Sequence, residues 1–338
     1  MGRFVLRRLI WTAFVLLIVT LLTFTIFYVL PPGDPTTQVP PARRVSGGKP
    51  PTPERVAEIR RQLGLDRSLP EQYGLFVKHL VLGDGDDCPP GIKGCGWPGL
   101  GFSFETRTSV RQEIIERAPR TISLAFGAAV IWLIVGISVG IVSALRRRTL
   151  TDRLAMGFVL FGISAPVFWL GLMALFIFWQ TLGIQALGTG YVNLRDDPVG
   201  WFQHLILPWC VLAFLFAAFY ARMTRGNLID TMGSDFIRTA RAKGLPERTV
   251  VAKHGLRASL TPIVTMLGMD LALLLGGAFI TEIVFNLQGL GQWAVSAASS
   301  SDLPALVGVT VVTAFSVAVL NLIVDIAYAY LDPRVRPS

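Results

Sequence analysis

The chain has 338 residues, of which 52% are hydrophobic and only 16% are charged. A soluble domain of this length normally carries about a quarter of its residues as charges, so the composition argues against a soluble protein. The formal net charge of +9 is compatible with a nucleic-acid partner. However, the basic residues lie outside the apolar blocks, at the termini and in the segments between them, which membrane topology explains, so no nucleic-acid partner is expected.

Six blocks of the chain are long and apolar enough to cross a bilayer as helices. A helix needs about 20 consecutive, mostly apolar residues to span the hydrocarbon core. Five of the blocks contain no charge, the last of them ending at Val324 just before Asp325, and the remaining block is interrupted only by Asp270 and Glu282. The first block is too long for the apolar core of a cleavable signal peptide, so we expect it to be retained. The predicted spans are at about 9–30, 121–145, 155–182, 202–221, 262–284 and 304–330.

The basic residues indicate which way the spans face. Eight lysines and arginines lie between the fourth and fifth spans, and arginines also precede the first span and lie between the second and third. The segment between the fifth and sixth spans contains none. Because basic residues concentrate on the cytoplasmic side, both termini and the two basic segments are predicted to be cytoplasmic.

The segment at residues 31–118, called the outer segment below, is predicted to lie outside the membrane. Its predicted helices are at about 53–63, 70–80 and 107–117. It contains Cys88 and Cys95, which can form a disulfide if that side is oxidising; the alternative is two unpaired thiols, since spacing does not define pairing geometry. Cys210, in the fourth span, is predicted to be a small buried apolar group.

The segment at residues 222–261, called the basic loop below, is long for a connection between two spans. Ser234 is a favourable N-cap for a helix at 235–243, and Gly244 is suited to end that helix in a left-handed conformation. Pro246 is suited to start a second helix that runs to about Ser259. On periodicity and charge alone, this pair of helices either lies on anionic lipid headgroups or presents a face to a protein partner.

A family resemblance at these residues separates the two interpretations. The run Asp235–Leu245 (DFIRTARAKGL) resembles the coupling motif of ABC importer permeases, and the run His254–Pro262 (HGLRASLTP) resembles its continuation in the peptide-importer subgroup. The resemblance covers nearly the whole chain. The segments Arg7–Leu9, Pro32–Pro35, Leu63–Asp66, His204–Pro208 and Gly289–Gly291 are similar to the first of the two permeases in dipeptide, oligopeptide and nickel importers.

The resemblance implies an all-α membrane protein with six transmembrane helices and the type I ABC importer permease fold. Residues 1–30 would form the N-terminal span, 31–118 the outer segment, and 119–338 a core of five spans that includes the basic loop. By the spacing of the motif, the residues that contact an ATPase would be Arg238, Thr239, Ala240, Arg241, Gly244, Leu245, His254, Leu256 and Arg257.

The same resemblance implies a function and a set of partners. The chain would form half of a translocation pathway for di- or oligopeptides in a bacterial or archaeal plasma membrane. Its partners would be a second homologous permease, two cytoplasmic ATPases, a substrate-binding protein and membrane lipid. The chain has no Gly-x-x-x-x-Gly-Lys-Ser/Thr phosphate loop, so ATP and Mg²⁺ would be bound by the ATPases and this subunit would be non-catalytic. Nickel chelates and haem, which relatives carry, remain alternative cargoes.

The acidic residues within the spans allow a second class of function. A secondary transporter driven by an ion gradient is expected to have repeated spans and an acidic residue near the midplane, and only Asp270 fits that description. Pairing with basic loop residues is the structural interpretation of Asp270. Glu282 either lines the outer mouth of the pathway or makes a structural hydrogen bond. The three histidines are scattered along the chain and predict no metal site.

Overall fold

The computed structural model describes residues 2–29, 67–83, 96–103, 105–184, 187, 189–300 and 302–331. Within these ranges the regular structure is helical, and the one extended pairing is an isolated bridge between Phe102 and Ser109. Two π-helical segments, Thr25–Val29 and Leu175–Thr181, extend apolar helices, and a third, Val250–Gly255, lies in the basic loop. In chain order the α-helices are α1 (Gly2–Phe24), α2 (Leu69–Leu82), α3 (Val110–Leu145), α4 (Leu150–Ser164), α5 (Val167–Ala174), α6 (Pro198–Met232), α7 (Asp235–Ala242), α8 (Glu247–Thr249), α9 (Leu256–Ser259), α10 (Thr261–Leu275), α11 (Phe279–Val284), α12 (Leu290–Ser300) and α13 (Leu303–Leu331).

The chain forms two compact units. The first comprises Met1–Pro119 and Gln288–Val319, and the second comprises Arg120–Leu287 and Leu320–Ser338. In the first unit, α12 and the beginnings of α3 and α13 enclose a small apolar core that includes Val110 and Trp293. In the second unit, a larger core joins α3, α5, α6 and α10, with Trp132 and Leu205 fully buried.

The described helices agree with the six predicted spans. Four of them are long and apolar enough to cross a membrane: Leu6–Phe27, Val110–Leu145, Pro198–Met232 and Leu303–Val324. Two bent pairs of helices pass the same test when each pair is taken together: Leu150–Ser164 with Val167–Thr181 at 101°, and Glu247–Ser259 with Pro262–Leu275 at 46°. Counting each pair as one span gives six, although in the second pair only Pro262–Leu275 lies in the predicted fifth span and Glu247–Ser259 belongs to the basic loop.

Pro166 causes the break in the third span. It stands between α4 and α5, and the preceding residue, Ala165, is extended at φ −79° and ψ 125°. Proline disfavours the helical conformation of the residue before it and supplies no backbone N–H, so the helix ends there. The bend is large enough to divide the span into two helices.

Several predicted boundaries are wrong. The separate helix predicted at 107–117 is the beginning of α3, which starts at Val110, after a left-handed Arg107, and continues through Pro119. Helix α6 runs eleven residues beyond the predicted end of the fourth span, so the start of the basic loop is helical. In the fifth span α10 ends at Leu275, because Gly277 adopts φ +107° before α11 begins. Helix α12 was not predicted.

Helices α3 and α6 approach closely at two glycines. A Cβ atom at Gly136 would lie 2.9 Å from the backbone oxygen of Ala217, and one at Gly140 would lie 2.7 Å from that of Ala221. Both obstacles are backbone atoms, so neither can move aside. This four-residue spacing of small residues is the usual means by which membrane helices come into close contact.

Candidate functional site

The basic loop folds back on the end of α6 as two helical segments with a corner between them. The first segment is α7, and the second runs from Glu247 to Ser259. Ser234 precedes α7 in an extended conformation, as predicted for an N-cap, although its hydroxyl donates to the carbonyl of Thr231 instead of accepting from the helix. The predicted helix pair is therefore present.

A small apolar core holds the two segments together. Ile237 of α7 and Val250 of the second segment are both fully buried, and they pack with Ala240 against Met232 at the end of α6. Gly255 lies so close to this helix that a Cβ atom there would be 2.9 Å from the sulfur of Met232. The loop is thus packed onto the last turn of α6 as a structured element.

The corner depends on the backbone conformation of Gly244. Its φ is +76°, and its N–H donates to the carbonyl of Arg241 at 2.9 Å, as expected for the left-handed residue after a helix. A Cβ atom there would meet nothing within 4 Å. Glycine is therefore favoured by its backbone freedom alone, and the space around it is open to a partner.

A salt bridge spans the corner. The Arg241 guanidinium donates to both oxygens of Glu247, at 3.1 Å from Nε and 2.6 Å from Nη2. This pairing raises the pKa of the Arg241 guanidinium. Both side chains are largely exposed, so the pair orients the corner more than it stabilises the fold.

Most of the residues assigned to ATPase coupling are exposed on the basic loop. Exposed members are Arg238, Thr239, Arg241, Gly244, Leu245 and Arg257, while His254 and Leu256 are partly buried. Ala240 is an exception, since it is buried in the loop core and presents no contact surface. Phe236, which the sequence analysis did not select, is half exposed on α7. The signal that could have identified Phe236 is an aromatic residue beside the arginines of a strongly amphipathic helix.

A buried ion pair ties α6 to the neighbouring helices, and sequence reasoning missed it. Arg225 of α6 donates to both carboxylate oxygens of Asp152, at 2.8 and 2.9 Å. Asp152 also accepts from the hydroxyl of Ser143, near the end of α3, and from the backbone N–H of Arg148 at 2.9 Å. Asp152 is only 5% exposed. Helices of three successive spans, α3, α4 and α6, therefore meet at one charged cluster. Arg225 lies seven residues before Met232, where α6 joins the loop core.

Three other residues discussed in the sequence analysis lie outside the basic loop. Glu282 is fully buried and accepts a hydrogen bond from Thr121 at 2.7 Å, which favours the structural interpretation over a place at an open mouth. Asp270 accepts from the Tyr220 hydroxyl at 2.7 Å and pairs with no basic loop residue in the described chain. Cys210 is exposed, so its predicted burial is wrong.

Two further predictions concern residues outside the described ranges. These are the disulfide between Cys88 and Cys95 and the helix predicted at 53–63. Among the residues that the structure describes, no group of three or more His, Cys, Asp or Glu side chains is arranged to hold a metal ion.

Comparisons with known proteins identify the same kind of membrane protein over nearly the whole chain. Residues 136–337 match the family of binding-protein-dependent transport system inner membrane components, and residues 1–125 match the N-terminal family of such membrane components. A protein of Brucella abortus (strain 2308) that is named as a peptide transport system permease is 38% identical, covering 99% of both chains. The dipeptide transport system permease protein DppB of Escherichia coli (strain K12) is 33% identical, again covering 99% of both chains.

Solved structures are also similar to this chain in fold. A chain of the MetNI methionine ABC transporter, in an inward-facing conformation, aligns with a TM-score of 0.50 at 18% identity. The alignment covers 65% of this chain and 97% of that one. The chain belongs to the family of binding-protein-dependent transport system inner membrane components, the multi-pass permease subunits of ABC importers.

Proposed function

We propose that this chain forms half of the translocation pathway of an ATP-driven peptide importer and that its basic loop receives the motion of an ATPase. The observation that carries this proposal is the corner at Gly244. Exposed basic side chains and two exposed apolar ones, Phe236 and Leu245, lie on α7 and on the turn that follows it, and the loop core packs this region onto a membrane helix. A surface of that kind suits a protein partner better than a lipid headgroup layer, because the loop core holds it in a fixed shape.

The proposal includes a route from the corner to the spans. The ATPases bind ATP and Mg²⁺ and draw together, and each bears on one corner of a permease. Because Ile237 and Val250 pack against Met232, displacement of the corner moves the end of α6. Because Arg225 holds Asp152, movement of α6 displaces α3 and α4 with it. A non-catalytic subunit of this kind needs only a stiff connection between the corner and the helices.

The proposed orientation and partners follow from the same account. The basic loop and both termini lie in the cytoplasm, as the basic residues predict. A second homologous permease completes the pathway, and a substrate-binding protein delivers the cargo on the opposite side. Relatives named as peptide and dipeptide permeases, alignable over nearly their full length, support peptides as the cargo.

The test is purification of the tagged chain from its own membranes. We expect a nucleotide-binding subunit and a second permease to copurify, and the complex to hydrolyse Mg-ATP. Leu245→Asp should reduce the amount of nucleotide-binding subunit recovered, because it places a charge on the apolar part of the corner. Gly226→Ala is the matched control, since a Cβ atom at that position on α6 meets nothing within 4 Å. Equal recovery from Leu245→Asp and Gly226→Ala would contradict the proposal.

A further inference from the structure

Asp270 is the acidic residue of helix α10, and its side chain is partly exposed. It lies nine residues after Thr261, about 13 Å along the helix axis, so it is well within an apolar span. Acidic side chains within a membrane span normally face water or a polar partner, since contact with lipid is unfavourable. The exposed part of Asp270 is therefore expected to face water or a polar partner.

Tyr220 holds this carboxylate in place. The Tyr220 hydroxyl donates to Oδ2 of Asp270 at 2.7 Å, and Tyr220 itself is fully buried. Its ring packs beside Trp132, with centroids 6.1 Å apart, and Trp132 in turn stacks on Phe216 at 4.6 Å. A rigid aromatic group thus fixes the position of the acid.

The other carboxylate oxygen, Oδ1, accepts no hydrogen bond from the residues that the structure describes. Glu282 of the same span provides the contrast, because it is fully buried and bonded to Thr121. One acid of the span is therefore enclosed by protein, and the other is oriented by protein while one of its oxygens remains available. An oriented carboxylate with an available oxygen is suited to bind a cation.

We infer that Asp270, positioned by Tyr220, is a cation-binding group on the water-lined pathway, where it holds the ammonium group of passing peptide cargo. The inference rests on the proposed function for the nature of the cargo. The ammonium group of a peptide donates to Oδ1 while the Tyr220 hydroxyl keeps Oδ2 occupied, so a single orientation of the carboxylate serves both contacts. Release follows when water replaces the carboxylate as the acceptor.

The first test measures access, and it does not depend on the cargo. In the full complex, Cys88, Cys95 and Cys210 are replaced by serine, and cysteine is then introduced at Asp270 or, as the control, at Glu282. A membrane-impermeant, charged thiol reagent should modify Asp270→Cys and leave Glu282→Cys unmodified. Protection of Asp270→Cys to the same degree as Glu282→Cys would overturn the inference, because lipid or the second permease would then cover the site.

The second test measures uptake of radiolabelled trialanine into vesicles that contain the full complex. Asp270→Asn should lower uptake about tenfold or more, the effect of removing a charged hydrogen-bond partner, with the same amount of assembled complex recovered. Asp270→Glu, which restores the charge, should recover most of the uptake, and Tyr220→Phe should lower it by a smaller factor.

Wild-type uptake by Asp270→Asn would overturn the inference while leaving the proposed function intact. Absence of trialanine uptake by the wild-type complex would instead count against the proposed function. A loss of assembled complex in Asp270→Asn, without recovery in Asp270→Glu, would assign the residue a purely structural role and overturn the inference as well.

Discussion

Replacement of Arg225 by methionine is expected to destabilise the chain, because it leaves the carboxylate of Asp152 buried without its cation. Asp152 is 5% exposed and the two groups form a two-point contact at 2.8 and 2.9 Å. Removal of one partner from a buried pair costs about 3–5 kcal/mol. The hydrogen bonds from Ser143 and Arg148 persist in the variant, so we expect the lower end, about 3 kcal/mol.

The matched control is Arg238→Met, which removes a salt bridge with Asp235. That pair is 3.5 Å apart, and its side chains are 75% and 97% exposed, so its loss should change stability by less than about 1 kcal/mol. The assay is thermal unfolding of the purified protein in detergent. Arg225→Met should unfold several degrees below both wild type and Arg238→Met.

A double variant isolates the pair itself. Combining Arg225→Met with Asp152→Asn removes the uncompensated charge, so it should be less destabilised than the sum of the two single variants. If Arg225→Met unfolds at the same temperature as Arg238→Met, the ion pair does not connect α6 to α3 and α4, and the proposed route from loop to spans loses its central link.

Three further variants test the packing and the corner. Gly140→Ala should lower the stability of the protein by about 1–3 kcal/mol, because its methyl group would meet a backbone oxygen of α6 at 2.7 Å. Gly226→Ala is the control and should unfold at or slightly above the wild-type temperature. Equal unfolding temperatures of the two variants would refute the close approach of α3 and α6. Ile237→Ala truncates a fully buried side chain, at a cost of about 2–5 kcal/mol to the loop core. The expected result is faster proteolysis within the basic loop. An unchanged rate of cleavage would argue against that core. Glu247→Gln removes the exposed salt bridge with Arg241 and should change the unfolding midpoint little, since water screens an exposed pair. A shift as large as that of Ile237→Ala would contradict the assignment of a mainly orienting role.

The parts of the fold that could be predicted depend on composition and on local chemistry. Charges are rare in the spans because they are costly in hydrocarbon, so the six blocks are visible in the sequence without any knowledge of packing. The corner is local in the same way, because Gly244 permits a left-handed backbone and Pro246 fixes its own φ. The observed φ of +76° at Gly244 follows from that chemistry.

The rest depends on contacts between distant residues. The partner of Asp152 is 73 positions away in the sequence, and no periodicity relates the two residues. The burial of Glu282 and of Ala240 depends on neighbouring helices, and a motif spacing does not distinguish a residue that packs a loop from one that faces a partner. The fusion of the predicted helix at 107–117 with the second span has a similar origin, since α3 continues through Pro119 where sequence rules favour a boundary.

The most direct test of the account is peptide uptake by Gly244→Asp compared with Gly183→Asp. Both glycines are left-handed, at φ +76° and +66°, and a Cβ atom at either position meets nothing within 4 Å, so the two substitutions impose similar backbone strain. Only Gly244 lies at the corner. The account predicts that Gly244→Asp reaches the membrane at the wild-type level but has lost uptake, while Gly183→Asp retains it. Normal uptake by Gly244→Asp, or equal loss in both variants, would contradict the claim that the corner couples this permease to its ATPase.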